Sequence, residues 1–188
     1  MKLFLFSLLI AVVGTISASA QMMMAKGGDN PMVGGAPMYK TKNIVENAVN
    51  SKDHTTLVAA VRAAGLVETL QGKGPFTVFA PVNGAFDALP AGTVDTLLKP
   101  ENKSMLTNVL TYHVLAGSYD SRSIAKAIKA GHGKAEFTTV AGGKLWAVMD
   151  GEWLVLTDEK GGKARVTIAD VRQSNGIIHV IDSVLLPK

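Results

Sequence analysis

The residues of this chain best suited to acid–base or metal chemistry are its four histidines, His54, His113, His132 and His179. No two of them stand two, three or four positions apart, so none forms the local ligand pair used by metal-binding helices and strands. The chain has no cysteine, which removes thiolate ligands and thiol nucleophiles together. No serine occupies the centre of a Gly-x-Ser-x-Gly turn. Gly72-Lys73 and Gly133-Lys134 each lack both the glycine five positions before the Gly-Lys pair and the Ser or Thr after it that a phosphate loop needs. Asp170 and Asp182 are carboxylates near strand-like segments, but their separation in sequence gives no argument for paired acid–base work. Residue types and spacing therefore point away from an enzyme and away from a bound cofactor.

His179 calls for its own reading, because it stands among Ile177, Ile178, Val180 and Ile181. In an extended strand, alternate residues face opposite sides, so both sides of this segment are mainly apolar. Such a strand lies inside a sheet and is covered on both faces. A histidine there must be neutral and hydrogen-bonded, because an unpaired buried polar group costs roughly 1–3 kcal/mol. A catalytic ring would also need an oriented partner and an open pocket, and the sequence signals neither. His179 is read as a buried strut.

The elements that position these groups begin after the first twenty residues. Lys2, the apolar run Leu3 to Val13 and the small residues Ala18-Ser19-Ala20 form the pattern of a secretory signal peptide, expected to end at residue 20. Its apolar run is too short to span a membrane. Removing Lys2 with it leaves 18 basic against 15 acidic residues, from 19 and 15 in the whole chain. The excess is dispersed and is not interleaved with aromatics, which argues against nucleic acid as a partner. Residues 21–38 are rich in Gly, Pro and Met without helical or strand periodicity, and read as a flexible leader. Met22, Met23, Met24, Met32 and Met38 fall there, and soft thioethers suit Cu(I). Compositional bias in a tail is the reading preferred to a copper site.

Order is expected from residue 39 to residue 188, as one domain held together by its core without disulfides. "NIVENAVNS" and "TTLVAAVRAAG" read as helices, the second with Asp53 as a candidate cap and Gly65 as its stop. "NKSMLTNVL" and "SRSIAKAIKAG" repeat apolar residues at helical spacing. In the second half, "EFTTV", "KLWAVM", "WLVLT" and "ARVTIADV" alternate with Gly-Gly and Asp-Gly turns, which predicts an antiparallel meander, with "IIHVID" as a further strand. Helices grouped early and strands late predict an α+β fold.

Two segments, "FTVFAPVNGAF" (76–86) and "NGIIHVIDSVLLP" (175–187), resemble the two signature boxes of the fasciclin domain, and "LTYHVL" (110–115) between them resembles its Tyr-His segment. All three are in the family's order, and the resemblance covers about residues 41–188. It implies a β-wedge of about seven strands packed against a group of helices. It also implies an extracellular or periplasmic adhesion module that binds proteins or glycans of the cell surface or matrix without catalysis. The segments associated with adhesion in animal members correspond here to Tyr112-His113 and Asp170-Val171, which become the candidate binding residues. Asp170 ends the strand pattern "RVTIA", and residues at a strand end tend to lie on an exposed rim. The bland alternatives are that Asp170 hydrogen-bonds the following turn and that Tyr112-His113 belong to the core. One departure is visible: Val82 stands where the family has a threonine able to cap the next helix, leaving Asn83 as a substitute cap. The rival function is a periplasmic carrier of a small molecule or copper, using the Met-rich leader or a cleft near Tyr112.

Overall fold

The computed structural model describes residues 23–24 and 30–188. The expected signal peptide and Met22 lie outside the described residues. In chain order the elements are β1 (Met23–Met24), β2 (Met32–Val33), β3 (Ala36–Pro37), α1 (Ile44–Ala48), α2 (Thr55–Ala64), α3 (Val67–Gln71), β4 (Phe76–Pro81), α4 (Asn83–Asp87) and α5 (Thr93–Leu97). They continue with α6 (Lys103–Tyr112), β5 (Val114–Ala116), α7 (Ser121–Ala130), β6 (Lys134–Thr138), β7 (Lys144–Asp150), β8 (Trp153–Thr157), β9 (Lys163–Gln173) and β10 (Gly176–Ile181).

Seven strands run in the order β5-β4-β10-β9-β8-β7-β6, and β1 pairs in parallel with β9 beside Ile168 and Ala169. The fold is therefore α+β, with a seven-stranded mixed sheet packed against helices. Strands β6 to β9 form the expected antiparallel meander, and Gly151 and Gly161 take positive φ (61° and 84°) at two of its turns. β10 lies inside the sheet, antiparallel to β9 and parallel to β4. The last five residues of both β4 and β10 are buried, as their apolar residues on alternate sides require.

Helix caps are partly local and partly tertiary. Asn43 and Glu46 form a reciprocal capping box on α1. The expectation that Asp53 caps α2 is not met: the N-cap is His54, without a side-chain cap bond. Asn83, at the start of the adjacent α4, supplies that bond, its Oδ1 accepting from Thr56 N at 3.0 Å and its Nδ2 donating to Lys52 O at 2.8 Å. Val82 leaves the first turn of α4 without a side-chain cap, and Asn83 does not replace it there because its amide is committed to α2.

The sheet separates two cores. On one side α1, α2, α3 and α6 cover residues such as Val78, Leu110 and Val180. On the other, α7 and the C-terminal segment seal Phe79, Tyr112, Leu145, Leu156, Val166 and Ile181, all at 0 % exposure.

The flexible-leader reading is corrected for residues 30–38. Met32–Val33 and Ala36–Pro37 pair across Gly34-Gly35, both of which hold positive φ. Met38 N–H donates to the Pro31 carbonyl, and Val33 and Met38 are buried in the first core. Glycines that looked like flexibility are the turn of a two-residue hairpin. Copper binding by a methionine tail loses support as well, since Met38 is buried while Met32 is exposed.

Candidate functional site

Asp170 occupies a β-bulge. Ile168 and Val171 of β9 face Val180 and Ile178 of β10, so two residues of β9 oppose the single residue His179. Asp170 takes φ 62°, a left-handed conformation that aspartate tolerates better than most residues. Its N–H points to His179 Nδ1 at 3.4 Å, and its carboxylate accepts from Ser121 N at 2.7 Å and from Ser121 Oγ. Ser121 is the first residue of α7, so the carboxylate also meets the positive end of that helix. His179 completes the node by donating from Nε2 to the Tyr119 carbonyl at 2.8 Å. Because a carbonyl can only accept, the ring is the neutral Nε2–H tautomer, and burial lowers its pKa below the ordinary value. The strut reading of His179 agrees with this geometry, including its complete burial and its stacking on Phe79. Ser, Asp and His meet here, yet not in the order of a catalytic triad: the serine hydroxyl goes to the carboxylate and not to the ring, and both ring nitrogens are committed to backbone.

Tyr112 and His113 form a similar node between α6, the β6–β7 turn and the C-terminal segment. Tyr112 OH donates to the Lys144 carbonyl and accepts from Glu159 N–H at 3.1 Å; burial foremost pushes its pKa up to about 12. His113 donates from Nδ1 to the Val109 carbonyl (2.8 Å) and accepts at Nε2 from Leu185 N–H (3.0 Å), which makes it the neutral Nδ1–H tautomer. Desolvation lowers its pKa to about 4.

The four candidate binding residues are thus divided between two structural nodes. Tyr112, His113 and Val171 are 0 %, 3 % and 0 % exposed, so their side chains are not available to a partner in this fold. Only Asp170 is partly exposed, and its carboxylate is already satisfied by Ser121. An aspartate at the end of an apolar run looks the same in sequence whether it ends a strand or bulges within one.

Two surfaces with chemistry of their own were not marked by motif spacing. The first is the outer face of β6–β9, where alternation turns Leu145, Ala147, Leu154 and Leu156 inward and leaves Trp146, Val148, Trp153 and Thr157 outward. Glu136, Trp146, Thr157 and Lys163 form one cross-strand row; Lys134, Val148, Val155 and Arg165 form the next. Lys134 Nζ lies 4.8 Å from the Trp146 ring centroid, and the Arg165 guanidinium lies 5.0 Å from that of Trp153. Glu136 accepts from Trp146 Nε1 at 3.0 Å and pairs with Lys144 at 2.6 Å. The two half-exposed indoles of the chain therefore share one face, framed by Lys134, Lys144, Lys163 and Arg165. Period-2 alternation with polar residues was the available signal for this face.

The second surface is an apolar cleft, partly open to solvent, between the helical layer and the β4–β5 edge of the sheet. Half-buried Val45, Leu57, Val58, Leu66 and Val67 line its sides, and buried Val78, Phe79, Leu110 and Val114 its floor. His113 borders it, whereas the Tyr112 ring lies in the second core and does not line it. Among the described residues, no group of three or more His, Asp or Glu side chains converges as a metal site. No described helix is long and apolar enough to cross a membrane.

Comparison with known proteins agrees with the geometry. The fasciclin domain family model matches residues 52–187. Protein sll1483 of Synechocystis is 48 % identical over 157 residues, covering 83 % of this chain and 79 % of that protein. The immunogenic protein MPB70 of Mycobacterium bovis is 37 % identical over 145 residues, covering 74 % of this chain and 66 % of its own length. A solved FAS1 domain pair from the insect cell adhesion molecule fasciclin I superposes with a TM-score of 0.69 at 18 % identity, covering 77 % of this chain and 51 % of that one.

Proposed function

Because this chain belongs to the fasciclin family, we propose that it is an exported adhesion or interaction module, secreted or periplasmic, that binds cell-surface or matrix molecules without catalysis. The outer β6–β9 face is its contact surface, and an anionic glycan is the partner that fits this face best. The observation that carries the reading is the placement of both tryptophans among cations on one sheet face. Indole rings give sugar C–H faces a flat apolar platform. Lys134, Lys144, Lys163 and Arg165 outnumber Glu136 and Asp150 there, which favours carboxylated or sulfated sugars over neutral ones. The platform is held by the ladder beneath it, so little ordering is needed on binding. The name of the insect relative, a cell adhesion molecule, supports the broader class.

The test immobilises alginate, chondroitin sulfate and neutral dextran and measures binding of the mature protein and of the variants Trp146→Ala and Trp153→Ala. Binding to the acidic polymers, weakened at least tenfold by either variant at unchanged melting temperature, is the expected result. Binding that is equal on dextran, or unchanged in both variants, overturns the assignment of the face. Capture of envelope proteins with no glycan binding would place the partner in the protein class instead.

A further inference from the structure

The apolar cleft lies away from the tryptophan face and is not used by the reading above. We propose that it is a binding site for a single acyl chain ending in a carboxylate, with Arg62 at the mouth holding the carboxylate. Apolar side chains of four helices (α1, α2, α3 and α6) and two strands (β4 and β5) form its lining, the mostly hydrophobic wall typical of small-molecule sites. A second recess adjoins it and shares Ile44, Ala48, Leu57 and Val78 with it. The apolar lining of the cleft therefore continues into the recess.

The polar groups along this lining restrict the chemistry of the occupant. His113 borders the floor, but both of its nitrogens are committed to backbone groups, so the ring presents carbon atoms. The Thr111 hydroxyl donates to the Thr107 carbonyl of its own helix at 2.7 Å. In the adjoining recess, Ser51 Oγ is engaged with His54 Nδ1, while His54 Nε2 is buried without a partner, a state that an acyl chain leaves as it is in the free protein. A peptide entering this depth would bury N–H and C=O groups without partners, at a cost for each one. A hydrocarbon chain has no such groups to satisfy. The walls therefore select aliphatic chain over peptide or sugar.

The mouth selects the other end of the ligand. Arg62 stands one helical turn beyond Val58 on α2, lines the cleft and is exposed. Among the described residues, no carboxylate lies within ion-pair distance of its guanidinium. Glu46 of the neighbouring α1 is engaged in its own capping box. A planar guanidinium pairs with a carboxylate through two parallel hydrogen bonds, a geometry an alcohol or amide head cannot supply.

The test is direct titration of the mature protein, below micelle concentrations, with octanoate, decanoate, dodecanoate and dodecanol. Each added methylene should tighten binding of the carboxylates about fourfold until the cleft is filled. Arg62→Ala should weaken dodecanoate about tenfold and leave dodecanol unchanged. Ala48→Trp, which fills the inner path, should abolish binding; Val140→Trp, at an exposed lining position, serves as a second block should the first fail to fold. No saturable dodecanoate binding, no chain-length dependence, or binding unaffected by a folded blocking variant would overturn the site. Equal affinity for dodecanol and dodecanoate, with no effect of Arg62→Ala, would overturn the choice of ligand. Glycan binding by the tryptophan face is measured on the same samples, so failure of one site is distinguishable from failure of the other.

Discussion

The two sides of the sheet are packed by different means. Beneath α7, the second core is almost without exposure: Leu145, Ala147, Leu156, Ala164, Val166 and Ile181 are all at 0 %. Beneath α1, α2, α3 and α6, the first core is buried but edged by the half-buried Val45, Leu57, Leu66 and Val67, and the cleft opens there. The reason lies in how the helices are placed. α7 lies along β6 and β7 as a single amphipathic helix, whereas the first side is shared by the ten-residue α2 and α6 and the five-residue α1 and α3. One amphipathic helix laid along the strands seals a face, while several helices that meet over it leave a groove where they join. The sealed side is therefore the scaffold, and the grooved side is where a ligand can be accommodated at little cost to stability.

Four measurements break or sharpen that contrast. The largest effect is expected from Tyr112→Ala on the sealed side, which removes a fully buried ring and two backbone hydrogen bonds. It should destabilise by about 3–5 kcal/mol in chemical denaturation. A loss below 1 kcal/mol would show that the side is not sealed in solution.

Acidification should come next. Burial lowers the pKa values of His54, His113 and His179, that of His113 to about 4. Below the ordinary histidine value near 6.5, the unfolded chain binds protons that the native state refuses, so stability is full above that pH and falls between 6.5 and 4. For His113 alone the loss across this window is on the order of 3 kcal/mol. Denaturation midpoints at pH 7.5, 6 and 5 that coincide would contradict the neutral-strut assignment.

Asp170→Ala should cost about 1–3 kcal/mol, because it uncaps Ser121 and replaces the aspartate at a positive-φ bulge, while glycan binding per folded molecule should stay unchanged. Unchanged stability with lost binding would return Asp170 to the contact surface. The smallest effect is expected at Val58→Ala on the cleft wall, about 0.5 kcal/mol, since a half-buried valine gives up little contact when shortened. A cost above 2 kcal/mol would mean that the grooved side is as tightly packed as the other.

Much of the fold was legible because its signals are local. Period-2 apolar runs separated by Gly-Gly and Asp-Gly located β6 to β9, and helical spacing located α2, α6 and α7. The five-residue helices α3 and α5 are too short to display a period, and β5 has only three residues. The hairpin at 32–37 was obscured because its two glycines resemble a linker until Val33 and Met38 are seen in the core. His179 was legible from its apolar neighbours on both strand faces.

By itself, the sequence determined the family, the meander, the interior position of β10 and the need for a neutral His179, since each is read from short motifs or from periodicity within single segments, and from the order of those segments along the chain. Tertiary structure alone decided that Tyr112, His113 and Val171 are interior, that Asp170 closes a bulge onto α7, and that Asn83 caps α2 rather than its own helix. It also decided that Trp146 and Trp153 share a charged face and that α1, α2 and α3 leave a cleft between them. The reason is physical: periodicity tells which side of its own element a residue faces, but what covers that side comes from segments far along the chain, such as Ser121 for Asp170 or Leu185 for His113.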